Sequence, residues 1–301
     1  MPPLDDAIEA ARAELPRSNH YTEAHSAPLR RLLADRLDVP ERLVHINAGS
    51  ELILRQICDR FGDRVHLLTP TYPLFPEISR QYTETRLRPE DAFRFDLAAL
   101  RIPKETTLAI IVNPNNPNGL TFNVEALPEL LERHPETRFL VDEAFIGLAG
   151  ESVVHLVPGH PNLLVTRTLS NAHSLAGFRV GYAVLPPALA DDLNEHNDAY
   201  PLARPSEAAA IATLQNEGPD SGTRRPAAPM DGRAGGRAER ARGPHVSRGG
   251  LLLSRRLRAA PRRAAGQAAQ GARRLGPGFM RVTTALPEDN TRFLSAMREL
   301  L

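Results

Sequence analysis

Between residues 40 and 217, five short runs of consecutive apolar residues recur at intervals: Val65 to Leu68, Leu108 to Val112, Arg138 to Val141, Leu163 to Thr166 and Val180 to Val184. None alternates apolar with polar, so each reads as a strand covered on both faces. Two intervening stretches, Glu51 to Phe61 and Val124 to His134, carry apolar residues near helical spacing, and Pro128 sets the start of the second helix close to itself. The alternation predicts an α/β fold: a mostly parallel sheet with helices on both faces.

The pattern breaks at residues 219–278, where no aromatic and six Ile, Leu or Val stand among 60 positions. That is below the ~20% under which a charged segment cannot fold by itself. The window is Arg, Ala, Gly and Pro throughout, with 14 Arg against 3 acids. Ordinary patterning returns at Gly278 to Leu301, with a strand-like MRVTT, a turn at Pro287 and an amphipathic closing helix. GC-rich coding sequence read out of frame yields such a composition, and that reading is preferred to an evolved insertion.

A chain of 301 residues suffices for a large domain and a smaller lobe. Its single cysteine, Cys58, allows no intrachain disulfide and no cysteine zinc cluster, and no metal is expected. No apolar run approaches the ~20 residues that span a bilayer, and MPPLDDAIEA lacks the layout of a secretory signal, so a cytoplasmic protein without a membrane partner is expected. Outside the basic window 33 acids face 22 Arg and one Lys, which argues against nucleic acid as a partner. The window as a nucleic-acid or membrane-surface arm is disfavoured because it lacks aromatics for stacking and interrupts a domain. One count bears on chemistry: the only lysine is Lys104.

Nearly every polar motif follows the carboxyl end of an expected strand, where open α/β sheets bind ligands. TPTYPLF offers Tyr72 after the first run, NPNNPNG spans Asn113 to Gly119 after the second, DEAF spans Asp142 to Phe145 after the third, and RTLSNAHSLAGFRVGY spans Arg167 to Tyr182 after the fourth. NAGSELI, Asn47 to Ile53, puts small residues at a helix start, whose amide groups and dipole suit a phosphate. Taken singly, each motif has a plain alternative: a Pro/Asn turn for NPNNPNG, a helix cap for DE and a capping signal for GSE.

In this order and spacing the five motifs resemble the class I/II, fold type I aminotransferases that use pyridoxal 5'-phosphate (PLP), and most closely the histidinol-phosphate aminotransferase branch. The resemblance covers roughly residues 15–217 and 278–301. It implies that Asp142 pairs with the pyridine nitrogen, Asn116 donates to the ring oxygen and Tyr72 stacks on the ring. It assigns the phosphate to the backbone of Ser50 and Glu51, the hydroxyls of Thr168 and Ser170, and Arg179. Tyr21, in NHYTEAH, resembles the tyrosine that reaches the partner subunit's phosphate, implying a homodimer, and Arg281, in FMRVTT, the arginine that clamps a substrate carboxylate. The alternatives are an interior Tyr72, a capping Asp142 and a surface Arg281.

The chain departs from that family where it matters most. The family's S-K-A reads Ser170-Asn171-Ala172, and a carboxamide is neither a nucleophilic amine nor a useful base near neutral pH. Lys104, ahead of the Leu108 strand, is expected at the opposite end of the sheet, and His173 is read as a packing residue. Phe145 stands where a tyrosine usually contacts the ring oxygen. The resemblance further implies a truncated strap over residues 1–24, a PLP-binding domain over 25–200 and a small domain over 201–301. The expected function is transfer of an amino group between a small amino acid or amino-acid phosphate and a 2-oxo acid, impaired by Asn171. The alternatives are a catalytically silent PLP-binding homologue and a threonine-phosphate decarboxylase-like enzyme.

Overall fold

Residues of opposite parity along each apolar run bury into opposite layers, which is why those runs become strands. Ala109, Ile111, Val141, Val165 and Val184 join one core cluster, whereas Ile110, Val112, Leu140, Leu164 and Ala183 join another. A computed structural model describes residues 2–216 and, as backbone alone, two further strands at 251–254 and 279–282.

In chain order the elements are α1 (Asp5–Glu14), α2 (Ala27–Leu37), β1 (Val44–Asn47), α3 (Ser50–Phe61), β2 (Val65–Thr69), α4 (Leu74–Ile78), β3 (Tyr82–Arg86), β4 (Leu108–Val112), α5 (Leu127–Arg133), β5 (Arg138–Asp142), β6 (Leu163–Thr168), β7 (Gly181–Val184), α6 (Pro187–Glu195), α7 (Arg204–Asn216), β8 (Leu251–Ser254) and β9 (Phe279–Val282). The first seven strands form one sheet in the order β1-β7-β6-β5-β4-β2-β3. β7 runs antiparallel to β1 and β6, and the remaining pairings are parallel. β8 pairs antiparallel with β9.

Helices α1, α2, α5 and α7 cover one face of the sheet, and α3, α4 and α6 the other. Burial of each Leu or Ile is worth ~2 kcal/mol, so the central strands are strongly committed to this two-sided packing. α5 begins at Leu127, beside Pro128, as expected. β5 and β6 run past their apolar runs to Asp142 and Thr168, because these polar residues are themselves buried at the sheet edge.

β1 and β3 escape the apolar pattern for different reasons. β1 buries His45 and Asn47, whose polar atoms are satisfied across elements: His45 Nδ1 lies 2.8 Å from Asn194 Oδ1, and Asn47 Nδ2 donates to Asn197 Oδ1 at 2.7 Å. β3 is a mostly exposed edge strand whose Thr83 and Thr85 hydroxyls meet the ring nitrogens of His66 on β2.

The stretches at 5–14 and 204–216, outside the 25–200 span, pack into the same core through Ala7, Ala11, Ala209, Ala210 and Leu214. Arg204 fastens them: its Nε donates to Glu14 Oε2 at 2.6 Å and its Nη1 to Tyr21 O at 2.9 Å. β9 overlaps the strand expected at MRVTT over residues 280–282 and starts one residue earlier; the window 219–278, apart from β8, and the closing helix lie outside the described residues. No helix among the described residues is long and apolar enough to cross a membrane.

Candidate active site

Because β1, β2, β4, β5 and β6 run the same way, their carboxyl ends share one edge of the sheet with the start of antiparallel β7. That edge gathers most of the expected residues. Ser50 and Glu51 open α3, Tyr72 follows β2, Asn116 lies in the loop after β4, Asp142 ends β5, Phe145 follows it, Thr168 ends β6, Ser170 and Asn171 follow, and Arg179 precedes β7. In register Asp142 faces Thr166 and Gly181 faces Thr168, so the carboxylate and the Arg179 corner sit on either side of β6. Strand spacing then puts the Cα atoms of Asp142 and of Gly181, two residues past Arg179, about 12 Å apart, a span that a small ligand and two side chains bridge.

The cup near Arg179 is built by close backbone approach. Asn47 shapes the turn into α3: its Oδ1 accepts from Ala48 N at 2.8 Å and its carbonyl from Gly49 N at 2.7 Å. Gly49 has φ +89°, and a Cβ there would strike the Arg179 guanidinium. A Cβ on Gly181 would strike the Gly49–Ser50 backbone. The two missing side chains let an arginine and the N-terminus of the 12-residue α3 converge, a pairing that suits a phosphate. Beside them Ser170 N donates to Thr168 Oγ1 at 3.1 Å, and the two hydroxyls lie 2.9 Å apart.

At the other end Asp142 is 2% exposed. Burial pushes its carboxyl up to about 7, against the opposing hydrogen bonds from Thr166 Oγ1 and the Ala144 N–H; the neighbouring Glu143 charge adds to the rise. Both bonds come from neutral donors, so a cationic ring N–H would restore its charge. Between the two ends stands Tyr72, half-buried, its ring edge-on to Phe75 at 6.0 Å. Its phenol is raised by burial and then by the charges of Glu51, Asp142 and Glu77, with Arg179 opposing.

The asparagine-rich loop is braced from within. Asn115 Nδ2 donates to Pro70 O and to Asn118 Oδ1, both at 3.0 Å, and Asn113 Nδ2 donates to Glu151 O at 3.2 Å. Asn116 sits, buried, in the middle of the loop so shaped. Asn171 is exposed, and its Nδ2 donates to Ala144 O at 2.9 Å.

One expected residue stands apart from this group. Tyr21 is 75% exposed and stacks on Tyr200, with ring centroids 4.4 Å apart. Arg281 lies in β9, where the description ends at the backbone. Lys104 is exposed in the loop leading into β4, at the opposite edge. Burial and then the Asp59 charge push the Cys58 thiol up to about 12, leaving it inert. Among the described residues no group of three or more His, Cys, Asp or Glu side chains gathers to hold a metal.

Sequence reasoning passed over Glu143 and Arg167, which lie behind the site. Arg167 Nε donates to Glu143 Oε2 at 2.8 Å, and Glu143 also accepts from Ser152 Oγ and Val153 N. Burial acts to lower Arg167, but Glu143 and Tyr182 outweigh it and the net shift is upward. His173 lines a small cavity of about 50 Å³ with this pair and Tyr182. The signal available was the D-E dipeptide followed by an arginine one strand later. Glu143→Ala strands a buried guanidinium and is expected to destabilise the fold by about 3–5 kcal/mol in urea unfolding; a loss under about 1 kcal/mol contradicts that placement.

The sequence model of the family described as "Aminotransferase class I and II" matches residues 1–223. The chain belongs to the class I and II aminotransferase family. Among the relatives of this aminotransferase-family chain, histidinol-phosphate aminotransferase 2 of Pseudomonas aeruginosa is 31% identical over 324 residues, covering 98% of the chain and 85% of the relative. Histidinol-phosphate aminotransferase of Gluconacetobacter diazotrophicus is 33% identical over 221 residues, covering 70% and 62%. The chain thus spans less than two thirds of the latter's length. Two solved structures share the aminotransferase-family fold. Histidinol-phosphate aminotransferase from Sinorhizobium meliloti in complex with pyridoxal 5'-phosphate has TM-score 0.65 and 24% identity, covering 71% of this chain and 62% of that one. L-threonine-O-3-phosphate decarboxylase from Porphyromonas gingivalis has TM-score 0.77 and 21% identity, covering 98% and 94%.

Proposed function

We propose that the sheet edge binds a vitamin B6 phosphate and that the chain is an aminotransferase-type protein of the histidinol-phosphate aminotransferase kind, stopped short of normal turnover by Asn171. The carrying observation is the pairing of a buried, neutral-bonded carboxylate, Asp142, with the Arg179 and α3 cup across β6. These residues fit the group at both ends: an anion cradle that a Cβ would fill, and a carboxylate in need of a cation.

When bound, the pyridine ring supplies a sink for the electron pair left on a substrate's α-carbon. The chain's residues supply the rest. Arg179, the Ser50 and Glu51 amides, Thr168 and Ser170 hold the phosphate, while Asp142 holds the proton on the ring nitrogen. Asn116 orients the ring oxygen by donating to it, and Tyr72 covers the ring and excludes water. Phe145 carries no hydroxyl, so it adds no donor of its own to the ring oxygen. Arg281 is the proposed clamp for the anionic group of each substrate: the carboxylate of the 2-oxo acid and the phosphate or carboxylate of the amino donor. Tyr21 is proposed to serve a partner subunit in a cytoplasmic homodimer, in keeping with its exposure.

The step that fails is proton movement. A resident amine is needed to take the proton from the α-carbon, and the carboxamide of Asn171 does not do so near neutral pH. This favours, as a second reading, a silent binder. The relatives' names support histidinol phosphate as the amino donor, and the name of the Porphyromonas gingivalis structure supports threonine phosphate as the alternative. Calorimetric titration with pyridoxal 5'-phosphate tests the binding: Arg179→Ala is expected to weaken it about 10- to 100-fold, as for loss of a charge-assisted contact. Binding unchanged in that variant counts against the cup.

A further inference from the structure

We propose that this site selects the amine form of its ligand, holding pyridoxamine 5'-phosphate at least about tenfold more tightly than pyridoxal 5'-phosphate, and that Asn171 is the residue that selects. The inference rests on the binding reading above and adds which form of the coenzyme is taken.

Asn171 links the two ends of the site. It follows Ser170, whose amide and hydroxyl belong to the Thr168 cluster, and its Nδ2 donates at 2.9 Å to the carbonyl of Ala144, two residues past Asp142. A ligand that touches both Asp142 and the cup therefore passes the residue tied to each. The Ala144 carbonyl can only accept, so the amide must turn its nitrogen toward it. What Asn171 offers in other directions is Oδ1, an acceptor, and the second Nδ2–H, a neutral donor.

The two forms differ in one substituent. The amine form carries an ammonium, a cation with three donors, which makes a charge-assisted hydrogen bond to an amide oxygen. The aldehyde form carries a neutral carbonyl, which meets Oδ1 acceptor to acceptor and gains at most a neutral bond from the second Nδ2–H, roughly half as strong as the charge-assisted one. The usual recompense for an aldehyde is covalent capture by a lysine, and here the only lysine is Lys104, exposed in the loop before β4 at the opposite edge of the sheet.

Calorimetric titration of the purified full-length chain with each of the two compounds reads the ratio of dissociation constants directly. The wild type is expected to favour pyridoxamine 5'-phosphate by about tenfold or more. Asn171→Ala, an exposed position whose folding is verified by circular dichroism, is expected to bring the ratio close to one while both compounds still bind through Asp142 and the cup. Equal binding, or tighter binding of the aldehyde, by the wild type overturns the selection and leaves the binding reading standing. A preference that persists in Asn171→Ala overturns the assignment to Asn171. Binding of neither compound overturns both the selection and the reading on which it rests.

Discussion

Asp142→Asn should make the ligand-free protein more stable at pH 8, by about 2 kcal/mol, and less stable at pH 4, by roughly 1–2 kcal/mol, where only the mismatched bonding of the amide is felt. The native carboxyl is pushed up to about 7 from the ordinary aspartate value of 3.8, because burial disfavours the charged form more than the bonds from Thr166 and Ala144 favour it. Between those values the native state keeps a proton that the unfolded chain has released. Stability therefore falls as pH rises through this window, by up to ~1.4 kcal/mol per unit, and levels off above about pH 7. The whole shift corresponds to roughly 4 kcal/mol, and mismatched bonding of the amide to Thr166 and the Ala144 N–H returns about half of it. Urea unfolding from pH 4 to 8 measures the slope, which the amide variant should lack. The same variant should bind pyridoxamine 5'-phosphate about 10- to 100-fold more weakly, since an amide gives no ionic partner to a ring N–H. A variant that lost stability at pH 8, or kept the slope, would remove Asp142 as the buried titrating group.

The second large effect is a gain. Asn171→Lys puts an amine beside Ala144 and Ser170, in reach of both ends of the site. Pyridoxal 5'-phosphate should then be captured covalently, giving an absorbance change and, after borohydride, a mass increase on residue 171 that the wild type cannot show. With a general base restored, turnover of one donor among histidinol phosphate, phenylalanine and threonine phosphate should rise by about 10²- to 10⁴-fold over the wild type. The preference for the amine form should disappear at the same time. The position is exposed, so the lost bond to Ala144 costs only about 1 kcal/mol. Absence of the adduct in a folded, ligand-binding variant would place residue 171 outside the reacting part of the site.

The sheet was legible where burial is purely apolar. LAIIV and LLVT could only be two-sided strands, and Pro128 marked a helix start because it lacks an N–H. β1 was not legible: VHIN owes its place to His45 and Asn47 meeting partners about 150 residues away, which no local pattern encodes. β3, YTETR, is polar because it forms the exposed rim. The site followed from loops after strands, since topology carries Asp142, Thr168 and Arg179 to one edge. Glu143 and Arg167 stayed hidden because a buried ion pair looks in sequence like two solvated charges. Asn171 was visible as a departure from S-K-A, whereas its grip on Ala144 emerged only from the coordinates.

A crystal structure of the chain with pyridoxamine 5'-phosphate tests the central claim most directly. The account requires the ring nitrogen within about 3 Å of the Asp142 carboxylate, with the phosphate against Arg179 and the Ser50 and Glu51 amides. A ligand bound with its phosphate elsewhere, or with its ring nitrogen turned away from Asp142, would contradict it.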